Sequence, residues 1–210
     1  MMSLTVITYN QGMSRWEPNA RGRLEEAALE LYAERGFDQT TVSEIAERAR
    51  LTERTFFRYF ADKREVLFSG GEMLADLLAR TATGAPASAA PIDVAAAGLD
   101  AIGARLQERR DFARKRSKIV AATPELQERE LIKLASMAAA LSDALRERGI
   151  TEPTARLVAE VAIAVFRTAF ERWVDETNQC ALPELIRRSL DELQALTGKD
   201  RWSLESSAQP

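Results

Sequence analysis

The chain has 210 residues, 46% apolar and 29% charged, with a formal net charge of −3. That length buries a core in one large or two small domains, and the composition is ordinary for a globular protein. It holds no histidine and one cysteine, Cys180, which excludes a Ser-His-Asp or Cys-His catalytic site, a histidine-ligated metal and an intrachain disulfide.

Alanine, leucine, glutamate and arginine dominate, and β-branched residues rarely form runs, so an all-α fold is expected. Residues 1–14 lack a basic n-region and no apolar run reaches the length of a membrane span. With one cysteine as well, a reducing, cytoplasmic setting is expected. No bound cofactor or metal is predicted.

Residues 1–19 read as a mobile arm, with two readings open for Arg15, Arg21 and Arg23: contact with the minor groove, or solvation alone. The first helix is predicted over Ala20–Arg35, because Leu24, Ala27, Ala28, Leu31 and Tyr32 share one face. Gly36 sits where a C′ glycine belongs, with Phe37 as its apolar contact. Thr41 and Glu44 have capping-box spacing and open a second helix with Val42, Ile45, Ala46 and Ala49 inward. Thr52 caps a third helix, Glu53–Phe60, with Phe56 and Phe60 inward. Asp62 and Glu65 have the same spacing and open a connecting helix over 63–80. Gly70-Gly71 within it reads as a tolerated weak point rather than a hinge. Residues 81–91 (TATGAPASAAP) read as a linker by composition. Further helices are predicted over Ile92–Arg110, Asp111–Ala122, Pro124–Arg148, Pro153–Glu176 and Pro183–Leu196, and 201–210 as a flexible tail.

Charge is unevenly spread. Residues 21–47 carry three basic against seven acidic side chains, and residues 48–64 carry six basic against two acidic. Positive charge on one element suits phosphate binding. A helix in the major groove reads bases with its outward side chains, here Arg54, Thr55 and Arg58 with Phe57 beside them. Tyr59 and Lys63 point toward the expected phosphate backbone, and Thr41 and Ser43 add donors at a helix N-terminus. For each arginine singly, a solvated face is an equal alternative. Taken jointly, the capped helix-turn-helix favours DNA binding.

The pieces AALELYAERGF, TTVSEIAERA and LTERTFFRYFADKREVL, with their spacing, resemble the N-terminal domain of the tetracycline-repressor (TetR) family of transcriptional regulators. The resemblance implies a homodimer binding a palindromic operator, usually as a repressor, with release by a small ligand in the C-terminal domain. It places contacts to DNA on Thr41, Val42, Ser43, Glu53, Arg54, Thr55, Phe57, Arg58, Tyr59 and Lys63. Phe57 stands where the family often has tyrosine. Glu53 is better explained by the helix dipole than by base contact, leaving the other nine as candidates. The expected organisation is a helix-turn-helix domain over 20–66 and a helical ligand-binding and dimerisation domain over 67–200.

In the C-terminal half, Val161–Phe166 is an unbroken apolar run, and Leu182, Leu185, Ile186, Leu190, Leu193 and Leu196 form a stripe on the last helix. Both suit a twofold four-helix interface, with closure of the monomer core as the alternative. Phe112, Ile119, Met137, Leu141, Phe166, Phe170 and Trp173 are the candidate lining of an apolar ligand cavity. Residues 105–118 carry seven basic against two acidic side chains, a solvated face or a site for anions. IVAATPELQERELIKLASMAAAL and AFERWVDE resemble the acyl-CoA-responsive branch that includes the mycofactocin-system regulators. That resemblance implies an acyl-CoA effector, its phosphates on the basic cluster and its chain in the aromatic cavity. The rival readings are a helical interaction module and, more remotely, an enzyme acting on a hydrophobic substrate.

Overall fold

A computed structural model describes residues 19–197, which form ten helices and no strand. The predicted tail and all but the last residue of the predicted arm lie outside the described residues. In chain order the helices are α1 (Ala20–Arg35), α2 (Val42–Arg48), α3 (Glu53–Tyr59), α4 (Glu65–Phe68), α5 (Gly71–Gly84), α6 (Pro91–Gln107), α7 (Arg110–Ala121), α8 (Pro124–Glu147), α9 (Glu152–Val174) and α10 (Leu182–Thr197). None is long and apolar enough to cross a membrane.

Local chemistry sets the first three. Asn19 caps α1 by accepting from the Gly22 N–H. Gly36 ends it at φ 85°, a left-handed angle suited to glycine. Thr41 and Glu44 form the full capping box of α2. Thr52 caps α3 through the Thr55 N–H, and Phe60 leaves the helix in an extended conformation. The predicted α1 face is buried, and it is wider than its spacing implied: Leu29 and Glu25 are buried as well.

The connecting helix predicted over 63–80 is instead two helices, α4 and α5, broken at Ser69-Gly70. Two carbonyls at the break are held by distant arginines. Arg21 Nη2 donates to the Ser69 oxygen at 2.9 Å and Arg116 Nε to the Leu67 oxygen at 2.6 Å. Two consecutive glycines lower helix propensity, so the external donors win. The Asp62–Glu65 pair is half a capping box. Asp62 accepts from the Glu65 N–H at 3.1 Å, while the Glu65 carboxylate turns to Arg129 and Lys133 on α8.

The linker predicted over 81–91 is also corrected. α5 runs on to Gly84, and the connection to α6 is strapped down by Arg148, which donates to the carbonyls of Ala82, Ala85 and Pro86.

Two apolar cores result. The first joins α1–α4 with Ile119 and Val120 of α7 and Leu126 of α8. The second is the bundle of α5, α6, α8, α9 and α10, joined by Ala113 of α7. α7 therefore serves both. Within the bundle α6 and α10 approach closely at Gly103, where a Cβ would meet the Pro183 backbone at 3.3 Å. One turn further on, at the last residue of α6, Gln107 Oε1 accepts from Trp173 Nε1 at 3.0 Å and from the Leu182 N–H at 2.9 Å. Trp173 and Leu182 are fully buried, so one side chain satisfies two interior donors on α9 and α10. Gln107→Met keeps the volume and strands both donors. It is expected to cost about 2–4 kcal/mol, read as a lower denaturant midpoint with unchanged slope.

Candidate nucleic-acid interface and effector cavity

Helix α3 is seated by Phe56 and Phe60, both buried, with ring centroids 5.4 Å apart. That seating turns Arg54, Phe57 and Arg58 outward, and Phe57 is 55% exposed. The Arg58 guanidinium lies 4.9 Å over the Tyr59 ring and 3.3 Å from its hydroxyl, which steadies a long cation at the surface. Thr55 is half-buried, its hydroxyl 3.0 Å from that of Thr52. Ser43 is exposed and Val42 half-buried at the start of α2, while the Thr41 hydroxyl is engaged with Glu44.

The basic run over 48–64 is less uniform than its count. Arg48 is paired with Glu30 and Glu34, and Arg64 with Asp62 and Glu125. Lys63, expected to face phosphate, folds over the Phe37 ring at 4.3 Å. Its ammonium donates to the carbonyls of Phe37, Asp38 and Thr40 at 2.9, 3.3 and 3.0 Å. These oxygens follow the end of α1, and the ammonium supplies all three with a donor, beside the Thr40 N–H that also reaches the Phe37 carbonyl at 3.3 Å. Of the four exposed cations in this stretch, Arg50, Arg54 and Arg58 lie outside these ion pairs.

The same ion pairs shift carboxyl groups. The Arg48 hydrogen bond holds Glu34 below the usual carboxylate range, and the Thr41 backbone N–H does so for Glu44. Burial alone would raise Asp62, but hydrogen bonds from Arg64 bring it below its ordinary value.

A cavity of about 150 Å³ lies between the two cores. Its apolar wall includes Phe112, Met137, Phe166 and Phe170, four of the seven predicted lining residues. The other three stand elsewhere. Ile119 belongs to the first core, Leu141 to the bundle interior, and Trp173 is buried against Gln107. Sequence reasoning missed the wall made by the α4–α5 break, Leu67 to Gly71, and by Leu106 and Leu134. The double glycine was the available signal. Arg105, Arg109 and Arg116 of the basic cluster also line the cavity, with Lys133, Glu25 and Glu130. Arg110 and Arg114 do not. They donate to carbonyls of Trp173, Asp175 and Asn178 and hold the turn between α9 and α10.

Residues 24–69 match the bacterial regulatory proteins of the tetR family, and residues 90–197 match the MftR C-terminal domain. The second match alone spans more than half of the chain. The chain belongs to the TetR family. It is thus a TetR-family DNA-binding transcriptional regulator with a ligand-binding domain. Over 46 residues it is 50% identical to the HTH-type transcriptional regulator TcmR of Streptomyces glaucescens, covering 22% of this chain and 20% of TcmR. Over 181 residues it is 25% identical to a Mycobacterium tuberculosis protein named as the mycofactocin biosynthesis transcriptional regulator MftR, covering 85% of this chain and 90% of that one. In fold it is similar to Thermus thermophilus FadR, a TetR-family repressor solved with lauroyl-CoA. The TM-score is 0.53 at 23% identity, covering 90% of this chain and 98% of FadR.

Two expected outcomes separate contact from scaffold within the TetR-type domain. Arg54→Ala and Arg58→Ala should each weaken specific DNA binding by about 1–3 kcal/mol and relax preference at particular base positions, read by binding titrations against single-base variants. Lys63→Met should instead lower stability by about 1–3 kcal/mol, seen in thermal melting without DNA.

Acid should also act through the depressed carboxyls. A group whose folded pKa lies below its unfolded value stabilises the fold above the unfolded pKa and loses that contribution as pH falls through the folded one. Melting temperature should therefore decline as pH drops below the ordinary carboxylate range. Glu44→Gln should flatten part of that decline.

Proposed function

We propose that the protein is a homodimeric repressor of a palindromic operator, released by an amphiphilic anion of the acyl-CoA class. The observation that carries the effector reading is the composition of the cavity wall. Phe112, Met137, Phe166 and Phe170 offer an apolar surface, and Arg105, Arg109, Arg116 and Lys133 stand around the same space. A fatty chain joined to a phosphate-bearing head matches both. The FadR complex with lauroyl-CoA supports the class.

About 150 Å³ is less than the roughly 300–1,000 Å³ of pockets that enclose small molecules. A long chain is accommodated only if a wall gives way. The α4–α5 break and α1 form part of that wall, so an effector that opens the cavity acts on the DNA-reading half. Only its difference in affinity between the two arrangements shifts the equilibrium.

A second copy is supported by exposed apolar side chains on the last two helices. Leu157 of α9 is 64% exposed and Leu196 of α10 is 62% exposed. Most of the predicted α10 stripe closes the monomer core instead. Leu182, Leu185 and Ile186 are buried, and Leu190 and Leu193 pack partly against the bundle.

The test begins with selection of bound duplexes from a random DNA pool at near-physiological salt. An inverted repeat should be enriched, and lauroyl-CoA should lower affinity for it more than CoA or lauric acid alone. Sequence-blind retention would favour the interaction-module reading. Turnover of lauroyl-CoA by the pure protein would favour the enzyme reading. An operator complex indifferent to lauroyl-CoA would remove this effector class.

A further inference from the structure

Each cation on the cavity wall already faces a carboxylate. Arg105 pairs with Glu108, Arg116 with Glu130, Lys133 with Glu65 at 3.9 Å and Arg109 with Glu25 at 2.6 Å. An anionic head group entering here exchanges with a carboxylate rather than meeting a bare cation. The four exchanges have different consequences. Glu108 and Glu130 belong to the ligand-binding half. Lys133 is a distant second partner to Glu65, which keeps Arg129.

Glu25 is different. It stands on α1, within the DNA-reading half, yet lines the cavity. Its residue is only 5% exposed. One carboxylate oxygen accepts from Arg109 Nη2. The other accepts from Arg21 Nε at 3.3 Å and from the Ser69 hydroxyl at 3.2 Å. Arg21 also holds the Ser69 carbonyl. One carboxylate thus ties α1 to the α4–α5 break and to the start of α7. Arg109 is 46% exposed in its side chain and stacks 4.0 Å over Phe112, itself a cavity residue. Glu25 and Arg109 thus line the same cavity, with Arg109 bonded to the carboxylate and stacked on a cavity ring.

We propose that the Glu25–Arg109 ion pair is the switch of this protein: the anionic head of the effector takes Arg109, and Glu25 releases α1 from the ligand-binding half. The inference rests on the acyl-CoA reading and supplies its means of transmission. Losing Arg109 leaves a buried carboxylate short of counter-charge, which costs more than losing a solvated pair. The DNA-reading half relieves that cost by moving. Effector and operator thereby oppose each other through one side chain, and their coupling is reciprocal.

The experiment uses the full chain, the enriched inverted repeat and lauroyl-CoA. In the wild type, lauroyl-CoA should bind the unoccupied protein more tightly than the operator complex, by a factor in the usual allosteric range of roughly 5–150. Glu25→Gln should bind the operator several-fold more weakly without effector. It should also bind lauroyl-CoA more tightly than wild type, with the ratio between unoccupied and operator-bound protein collapsing toward one. A Glu25→Gln protein that keeps the wild-type ratio overturns the switch while the effector reading stands. A wild type that ignores lauroyl-CoA overturns the effector reading, and the effector-free arm then judges the ion pair, with unchanged operator affinity overturning it. If Glu25→Gln fails to fold by circular dichroism, Arg109→Gln takes its place. That variant should show the same loss of operator affinity together with weakened lauroyl-CoA binding.

Discussion

Glu25 sets the terms on which the two halves meet. A carboxylate withdrawn from water needs compensating donors close by, and none of its apolar neighbours on α1 supplies one. Arg21 comes from the turn before it, Ser69 from the end of α4, and Arg109 from the residue preceding α7. Their convergence draws the break between α4 and α5 against α1 and leaves a cavity beside it. The polar centre of the molecule is thus the place where ligand and DNA chemistry come within reach of each other.

Electrostatics elsewhere in the DNA-reading half do quieter work. Arg48, Lys63 and Arg64 hold helices and turns together, leaving Arg50, Arg54 and Arg58 exposed toward solvent. Surface ion pairs of this kind contribute little each. Their value here lies in arrangement. They fix the turn and the capped ends that present α3, while phenylalanines beneath α3 set its rotation.

Legibility in the sequence followed the range of the interactions. The end of α1 and the starts of α2 and α3 come from Gly36 and from caps within three or four residues, and those were readable. The break at Ser69-Gly70 depends on Arg21 and Arg116, which lie 48 and 49 residues from the carbonyls they hold. The strap on the α5–α6 connection comes from Arg148, more than 60 residues away. Composition suggested a tolerated weak point in an unbroken helix at the first place and a linker at the second, and distant donors decided otherwise. The cavity shows the same division. Phe112 and Ile119 are two turns apart on one helix and both pack against the first core. α7 serves both cores, with Ala113 on the bundle and Ile119 and Val120 on the first core, and of the pair only Phe112 reaches the cavity.

That sharing of α7 bears on how such a regulator can be rebuilt from parts. Ile119, Val120 and Leu126 lie far along the chain from the helix-turn-helix, yet they complete its interior. A chimera joined after Phe68 would carry recognition residues without the floor beneath them, and would leave three apolar side chains of the recipient uncovered. The exchangeable piece is discontinuous. It comprises the first four helices together with the end of α7 and the first turn of α8, so divergence in one half of the chain is constrained by a short strip of the other.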